Sequence, residues 1–320
     1  MTKNLALAFI ADPLANFNPL HETTFFIMAE ANKRGWDCFH IELQGLSAQN
    51  ESVWGQASQV SVSQNKQGGF EYNIKDKRKI DLASCDAVLL RKDPPVNMAF
   101  LDHLSLLDLL QNKTLLVNNP SSVKIANEKL FPLQFKDIMP DTLVSQNAAS
   151  LREFIQEQKT AVIKPLNEAG GRGVVLLKHD DPSLGSLLDL LTKNNSEFLM
   201  AQQFLPEARK GDKRILLLDG EVLGSFLRVP HQDDFRGNLH SGATLKKSPV
   251  SKEEQALVDQ ISPRLQEMGL YFVGLDLIGS HVTEINSTSP MGISEINHLD
   301  NTRCEAQFCD WLKNKIKSAR

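Results

Sequence analysis

The stretch Val273–Pro290, Val-Gly-Leu-Asp-Leu-Ile-Gly-Ser-His-Val-Thr-Glu-Ile-Asn-Ser-Thr-Ser-Pro, restricts the fold more than any other part of the chain. It reads as two short strands around a Gly279-Ser280-His281 turn. Side chains alternate across a strand, so Glu284 and Asn286 share a face. Whether Asp276 joins them depends on the turn. A two-residue turn sets Asp276 opposite Thr283 and leaves Glu284 on the other face, whereas a three-residue loop pairs Asp276 with Glu284 and Gly274 with Asn286. The three-residue loop is the expectation. It brings two carboxylates and an amide oxygen together, a donor set suited to Mg²⁺, which usually keeps waters and takes further ligands from substrate phosphates. The alternative is a half-buried hairpin whose polar face is merely wet.

A chain of 320 residues with 41% hydrophobic and 23% charged content buries a substantial core, in two or three domains. The net charge is −4, and the longest basic run, Lys77-Arg78-Lys79, is too short for a nucleic-acid or membrane footprint. Small ligands are expected, with no nucleic acid and no membrane. Cys38, Cys85, Cys304 and Cys309 fit no metal or redox spacing and read as reduced thiols of a cytoplasmic protein. The apolar run Leu5 to Ala11 is too brief for a signal peptide core plus cleavage site and reads as a first strand.

Residues 1–122 alternate apolar runs with amphipathic segments, the pattern of an α/β substrate domain with a mostly parallel sheet. Strands are expected at Leu5 to Ile10, Cys38 to Leu43, Ala87 to Leu90 and Leu115 to Val117, with a helix at Thr23 to Arg34 and a peripheral hairpin insertion over 47–73. Parallel sheets bind ligands at the carboxyl ends of their strands, which singles out Asn16 after the first strand and Arg91-Lys92-Asp93-Pro94-Pro95 after a later one. Two cations beside a carboxylate suit an amino-acid-like substrate; an ordinary surface turn with a local ion pair is the alternative.

Asn118-Asn119-Pro120 marks a boundary, and 123–205 reads as a smaller α+β unit followed by another at 206–320. A helix near Val123 to Phe131 should carry Asn127-Glu128-Lys129. The strand Ala161 to Lys164 precedes a loop with Gly170, Gly171 and Gly173, whose backbone N–H groups can approach phosphate, and a second strand from Val174. Lys164, at the end of an apolar strand, calls for an anionic partner or a path to water. The apolar linker Phe198 to Pro206, with Gln203, Phe204 and Leu205, offers an adenine slot or a buried strand. A hairpin around Asp219-Gly220 places Arg214 and Arg228 near one end, and the polar run Pro230 to Ala243, with Arg236, Gly237, Asn238 and Gly242, has the length of a lid loop. Ser251 to Met268 reads as a capped helix, and the final helix, Arg303 to Ile316, packs.

Taken together, Asn-Glu-Lys-Leu at 127–130, Ile-Lys-Pro-Leu at 163–166, the glycine loop, Gly-Asp-Lys-Arg at 211–214, Arg-Gly-Asn at 236–238, Gly-Leu-Asp through Thr-Glu-Ile-Asn-Ser-Thr-Ser-Pro, and Arg91 to Pro95 resemble the bacterial glutathione synthetases over nearly the whole chain. That resemblance implies an ATP-grasp fold behind an N-terminal α/β domain. It also implies the reaction: ATP phosphorylates the cysteinyl carboxylate of γ-glutamylcysteine, and glycine attacks the acyl phosphate. By the same resemblance Lys129 and Lys164 neutralise ATP phosphates, Gln203 to Leu205 hold adenine with Asp212 near the ribose, and Arg214 and Arg228 stabilise the acyl phosphate. Asp276, Glu284 and Asn286 hold two Mg²⁺ ions, or Mn²⁺ in their place. The substrate set is Asn16, Arg91, Lys92, Asp93, Arg236, Asn238, Ser289 and Pro290, under a lid loop with Pro230, Gly237 and Gly242. A homotetramer or homodimer is implied too. The sequence departs from the family where Thr-Gly or Thr-Cys, an apolar residue and often Arg-Glu follow the Ser-Pro; here Met291-Gly292-Ile293-Ser294-Glu295 stands, and the lid carries Asp233-Asp234-Phe235. Two alternatives accompany the main reading: a paralogous ligase acting on another peptide or amino acid, and a nucleotide-binding protein without turnover.

Overall fold

The computed structural model describes residues 4–168, 170–231 and 243–318. The first unit runs β1 (Ala6–Ala11), α1 (Thr23–Lys33), β2 (Asp37–Ile41), β3 (Leu46–Gln49), β4 (Ser52–Gln64), β5 (Phe70–Asp81), β6 (Ala87–Arg91), α2 (Met98–Leu107), β7 (Leu115–Val117) and α3 (Pro120–Ile125). Its sheet has the order β3-β4-β2-β1-β6-β7 with β5 on β4, and β2, β1, β6 and β7 are parallel. The 47–73 insertion is a long hairpin that joins the sheet through β4 against β2. The strands β1 and β6 are buried on both faces, as helix-covered parallel strands must be.

The second unit comprises β8 (Thr142–Ser145), α4 (Ala148–Gln158), β9 (Thr160–Pro165), β10 (Val175–Lys178), α5 (Leu184–Leu191) and β11 (Leu199–Gln203), with antiparallel order β10-β9-β11-β8. The third comprises β12 (Asp212–Leu218), β13 (Glu221–Val229), β14 (Thr244–Lys247), α6 (Lys252–Glu267), β15 (Phe272–Ile278), β16 (His281–Asn286), α7 (Ile293–Asp300) and α8 (Cys304–Ser318), with order β14-β13-β12-β15-β16. The cores divide unevenly. Leu151, Ile155, Ala161, Ile163 and Leu199 form a cluster belonging to the middle sheet. The other two sheets share theirs: Ile10 and Phe131 cluster with Ile215 and Ile285, and Phe9 with Phe226 and Phe308.

Asn118 ties those two sheets together. Its amide donates to the carbonyls of Phe272 and Ser287, both at 2.7 Å, and accepts from Phe272 N–H at 2.8 Å. Asn119 then caps α3, accepting from Ser122 N–H.

The expected helix over 123–131 is shorter than its apolar pattern suggests. It ends at Ile125, because the Asn127 side chain accepts from the N–H groups of Lys129 and Leu130 and starts a new turn. Glu128 and Lys129 therefore sit on a turn, not on a helix. The anticipated cap of α6 is a capping box of Ser251 and Glu254, and the helix stops before Gly269, at φ +65°.

Candidate active site

The hairpin β15–β16 has the anticipated register with a different cause. Asp276 pairs with Glu284 and Gly274 with Asn286, yet Ile278 pairs with His281, so the turn has two residues, Gly279 and Ser280. Gly279 adopts φ +59° at the first central position, where a two-residue turn of the II′ kind favours glycine. The missing residue is absorbed as a bulge at Thr283, between the Asp276–Glu284 and Leu277–Val282 pairs. Asp276, Glu284 and Asn286 all line one cleft of about 370 Å³.

Arg214 reaches Asp276 from the neighbouring strand β12, where the two residues are register partners. Its Nε and Nη2 contact the two carboxylate oxygens at 2.5 and 2.9 Å, and Nη1 donates to the Met291 carbonyl at 3.0 Å. A Cβ on Gly274 would lie 3.2 Å from the Arg214 Cδ and Nη1, so glycine there keeps the guanidinium against the strand. Arg228, opposite Asp212 across β12–β13, bridges Asp212 at 2.7 Å and Asp276 at 2.9 Å. Burial alone would raise the Asp276 pKa, but Arg214 and then Arg228 bring it down to about 2. Burial raises that of Asp212 against the pull of Arg228, and the Asp276 charge adds to the rise. Against its own burial, Arg228 is held charged by Asp212 and Asp276.

Lys164, on β9, is buried and donates to Gln202 Oε1 at 3.0 Å; burial lowers its pKa, Glu284 opposes the shift and Lys129 adds to it. Lys129 is also buried, with its ammonium 2.5 Å from the Glu168 carbonyl just before the glycine loop. Gly170, Gly171, Gln203, Phe204, Leu205, Asp212 and Lys164 line the same cleft. Gly173 does not; its φ is +69°, and a Cβ would meet the Pro165 ring at 2.7 Å.

The expected substrate residues that are described fall into three groups. Asp93, Ser289 and Pro290 line the cleft. Arg91 stands behind it, in contact with Met291, which is itself in the wall. Lys92 and Asn16 do not reach it: Lys92 pairs with Asp12 at 3.0 Å, and Asn16 is exposed on a short turn after β1. Pro230 follows β13. Arg236, Gly237, Asn238 and Gly242 lie outside the described residues.

Sequence reasoning gave no role to Glu128 or Glu295, both of which line the cleft. Glu128 accepts from Thr288 Oγ1 at 2.9 Å, and burial together with the Glu284 charge pushes its pKa up to about 7. The signal for Glu128 was its place between Asn127 and Lys129 in a quoted motif. For Glu295 the signal was its place as the retained Glu of the Arg-Glu pair that often follows the Ser-Pro in the family.

Among the described residues no group of three His, Cys, Asp or Glu forms a metal cluster. The donor set here is two carboxylates and an amide, and the Glu284 side chain has no hydrogen-bond partner among the described residues. An open carboxylate on the face shared with Asp276 fits a hard cation that draws its other ligands from phosphate and water.

Three sheets around a cleft with this lining define an ATP-grasp ligase. The fold is similar to that of D-cycloserine synthetase DcsG (TM-score 0.67, 13% identity, covering 96% of this chain and 99% of that one) and ATP-grasp ligase PsnB (TM-score 0.65, 18% identity, 98% and 99%). The chain belongs to the prokaryotic glutathione synthetase family: residues 5–124 match the family's N-terminal domain and 128–301 its ATP-grasp domain. Glutathione synthetase of Synechocystis is 37% identical over 98% of this chain and all of its own length, and that of Agrobacterium fabrum 36% identical over 98% and 97%. No helix of the described residues is long and apolar enough to cross a membrane.

Proposed function

We infer that this protein is an ATP-dependent ligase that joins γ-glutamylcysteine to glycine through an acyl phosphate, giving glutathione, ADP and phosphate. The observation that carries the reading is the group Arg214–Asp276–Arg228 beside the open carboxylate of Glu284, within a family of glutathione synthetases. In this reading Lys129, Lys164 and the backbone around Gly170 and Gly171 hold ATP phosphates, while Gln203 to Leu205 receive adenine and Asp212 lies toward the ribose. Asp276, Glu284 and Asn286 would hold Mg²⁺, or Mn²⁺, which when bound offsets phosphate charge as the carboxylate attacks. Arg214 and Arg228, already fixed by Asp276, place positive charge where the acyl phosphate and its oxyanion form, with little reorganisation. The middle sheet, with its own core, acts as the cover over ATP, in line with a division at 1–122, 123–205 and 206–320. Exclusion of water by that cover protects the acyl phosphate from hydrolysis. A cytoplasmic homotetramer or homodimer completes the proposal.

The test is phosphate release with MgATP, offering γ-glutamylcysteine and glycine together and each alone, with mass detection of products. Release that needs both substrates and yields glutathione supports the reading. Turnover only with another dipeptide or amine would favour a paralogous ligase, for which Met291 and Ser294 are the motivating departures, and ATP binding without any turnover would sink both.

A further inference from the structure

On the middle sheet a chain of three side chains runs from the cleft wall to the edge strand β8. Lys164 on β9 pairs with Met200 on β11, so it shares a face with Gln202 two residues along, and both Lys164 and Gln202 line the cleft. Gln202 is 3% exposed, and its amide is held at both ends. Its Oε1 accepts from the Lys164 ammonium at 3.0 Å, and its Nε2 donates to Thr142 Oγ1 at 3.1 Å. Thr142, the register partner of Gln202 on β8, is half-buried behind the lining of the cleft. Its hydroxyl in turn donates to the Pro140 carbonyl at 2.7 Å.

The direction of each of these bonds is fixed by chemistry. A carbonyl oxygen only accepts, so the single hydroxyl hydrogen of Thr142 goes to Pro140, and Thr142 offers Gln202 lone pairs alone. Only the NH₂ end of the amide can face it. The oxygen of Gln202 is thereby turned to Lys164, whose ammonium has hydrogens and no lone pair. The cleft wall then presents a donor and an acceptor side by side, Lys164 Nζ and Gln202 Oε1. That pair matches the edge of adenine on which N7 accepts and the 6-amino group donates, and it opposes a 6-oxopurine, in which both positions accept. The backbone N–H groups of Gln203 and Phe204 do not make this distinction, because they donate to the carbonyls of Asp141 and Thr160 at 2.9 and 3.3 Å.

We propose that Thr142, from outside the cleft, sets the purine preference of this protein by holding the Gln202 amide with its oxygen toward the base. In the free protein Lys164 orients the same amide. A bound nucleotide gives the Lys164 ammonium other acceptors, N7 and the phosphate oxygens, and so loosens its hold on Gln202. Thr142 is then the group that keeps the amide from turning over and offering its NH₂ to a 6-oxo group. It is a positioning residue, acting on the base through Gln202, and its role rests on adenine lying along Gln203 to Leu205.

The experiment titrates the full chain, in Mg²⁺, with ATP, with ITP, whose base carries a 6-oxo group, and with purine riboside triphosphate, which carries only hydrogen there, and reads Kd by calorimetry. The native chain binds ATP at least roughly tenfold more tightly than ITP, the cost of setting two acceptors against each other. Thr142→Val keeps the branched shape and loses the hydroxyl. It weakens ATP by about three- to tenfold while ITP binds no worse, and it shifts purine riboside triphosphate by no more than about twofold. Thr142→Ser, which keeps the hydroxyl, restores the native ratio of ATP to ITP. Equal weakening of all three nucleotides by Thr142→Val would make the residue merely structural and overturn the proposal, as would a folded Thr142→Val with the native ratio. Equal affinity of the native chain for ATP and ITP, a result that requires no variant to fold, overturns it too. Because the readout is binding, a chain that binds ATP and forms no glutathione tells against the ligase reading alone, whereas a chain that binds no nucleotide overturns both.

Discussion

At the two ends of the cleft charge is treated in opposite ways. Around Asp276 both carboxylate oxygens have partners: Arg214 through two bonds, Arg228 at 2.9 Å and the Asn286 amide at 3.1 Å. Around Glu295 and Arg91 only part of the charge is met: Glu295 Oε2 and Arg91 Nη1 lie buried without a hydrogen-bond partner among the described residues. Charge fixed in advance by partners costs little reorganisation when a developing negative charge meets it, whereas charge left without a partner is available to a ligand. Substitutions at the first end should therefore fall on turnover and at the second on substrate affinity.

The strongest test of that contrast is Glu284→Gln. It removes the one open carboxylate on the Asp276 face without breaking any hydrogen bond among the described residues, so turnover should fall by roughly a thousandfold or more while the melting temperature barely moves. Normal activity would dissolve the proposed metal site. Arg228 comes next. Because it is buried between Asp212 and Asp276, truncation to Ala would leave uncompensated buried charge at a cost of about 3–5 kcal/mol, and loss of folding would confuse the result. Arg228→Lys keeps the charge and loses the fork, and should lower kcat roughly a hundredfold with a much smaller change in the ATP KM. Equal changes in both would place Arg228 in ground-state binding.

Glu128 sharpens the comparison, since it sits near Glu284 yet is not compensated as Asp276 is. Its pKa is raised from the usual 4.5 to about 7 by burial and then by Glu284. Between those values the folded protein holds a proton that the unfolded chain has released. This contribution to stability is therefore fully present below about pH 4.5 and is lost as pH rises through about 7, on the order of 3 kcal/mol in the absence of metal. Glu128→Gln should flatten that part of the stability profile, measured by urea unfolding at a series of pH values without Mg²⁺. An unchanged slope would mean that Glu128 is ionised in the fold.

Much of this was legible in local pattern. Alternation and turn residues located the strands Ala161 to Lys164 and Val273 to Ile278, and they brought Asp276, Glu284 and Asn286 to one face. The same pattern misjudged how the face arises, because a bulge at Thr283 and a longer loop leave the same residues paired. It also extended a helix through Asn127, whose side chain competes for backbone N–H groups that periodicity does not register. Lys92 looked like a substrate cation until Asp12, at the end of the neighbouring strand, appeared as its partner. Glu295 stood within a quoted segment but drew no role for the same reason: a carboxylate becomes significant through what surrounds it, and His21 lies 274 residues away along the chain. Asn118 was read only as a break, although its three bonds to Phe272 and Ser287 hold the first sheet against the β15–β16 hairpin.

The smallest expected effect belongs to Met291, which lies between the two ends of the cleft. Its backbone carbonyl takes Arg214 and its sulfur rests on Arg91, so one residue touches both ends being compared. Met291→Thr keeps the carbonyl and removes the thioether. Since the side chain is only partly buried, the truncation should cost about 1 kcal/mol and lower the melting temperature by roughly 2–4 °C. If the thioether covers Arg91 in the free protein, its removal should also lower the KM for γ-glutamylcysteine by about two- to threefold at unchanged kcat, because no cover has to be displaced. A rise in that KM would make Met291 a contact to the donor, and a fall in kcat would mean that the carbonyl's hold on Arg214 depends on the side chain beside it.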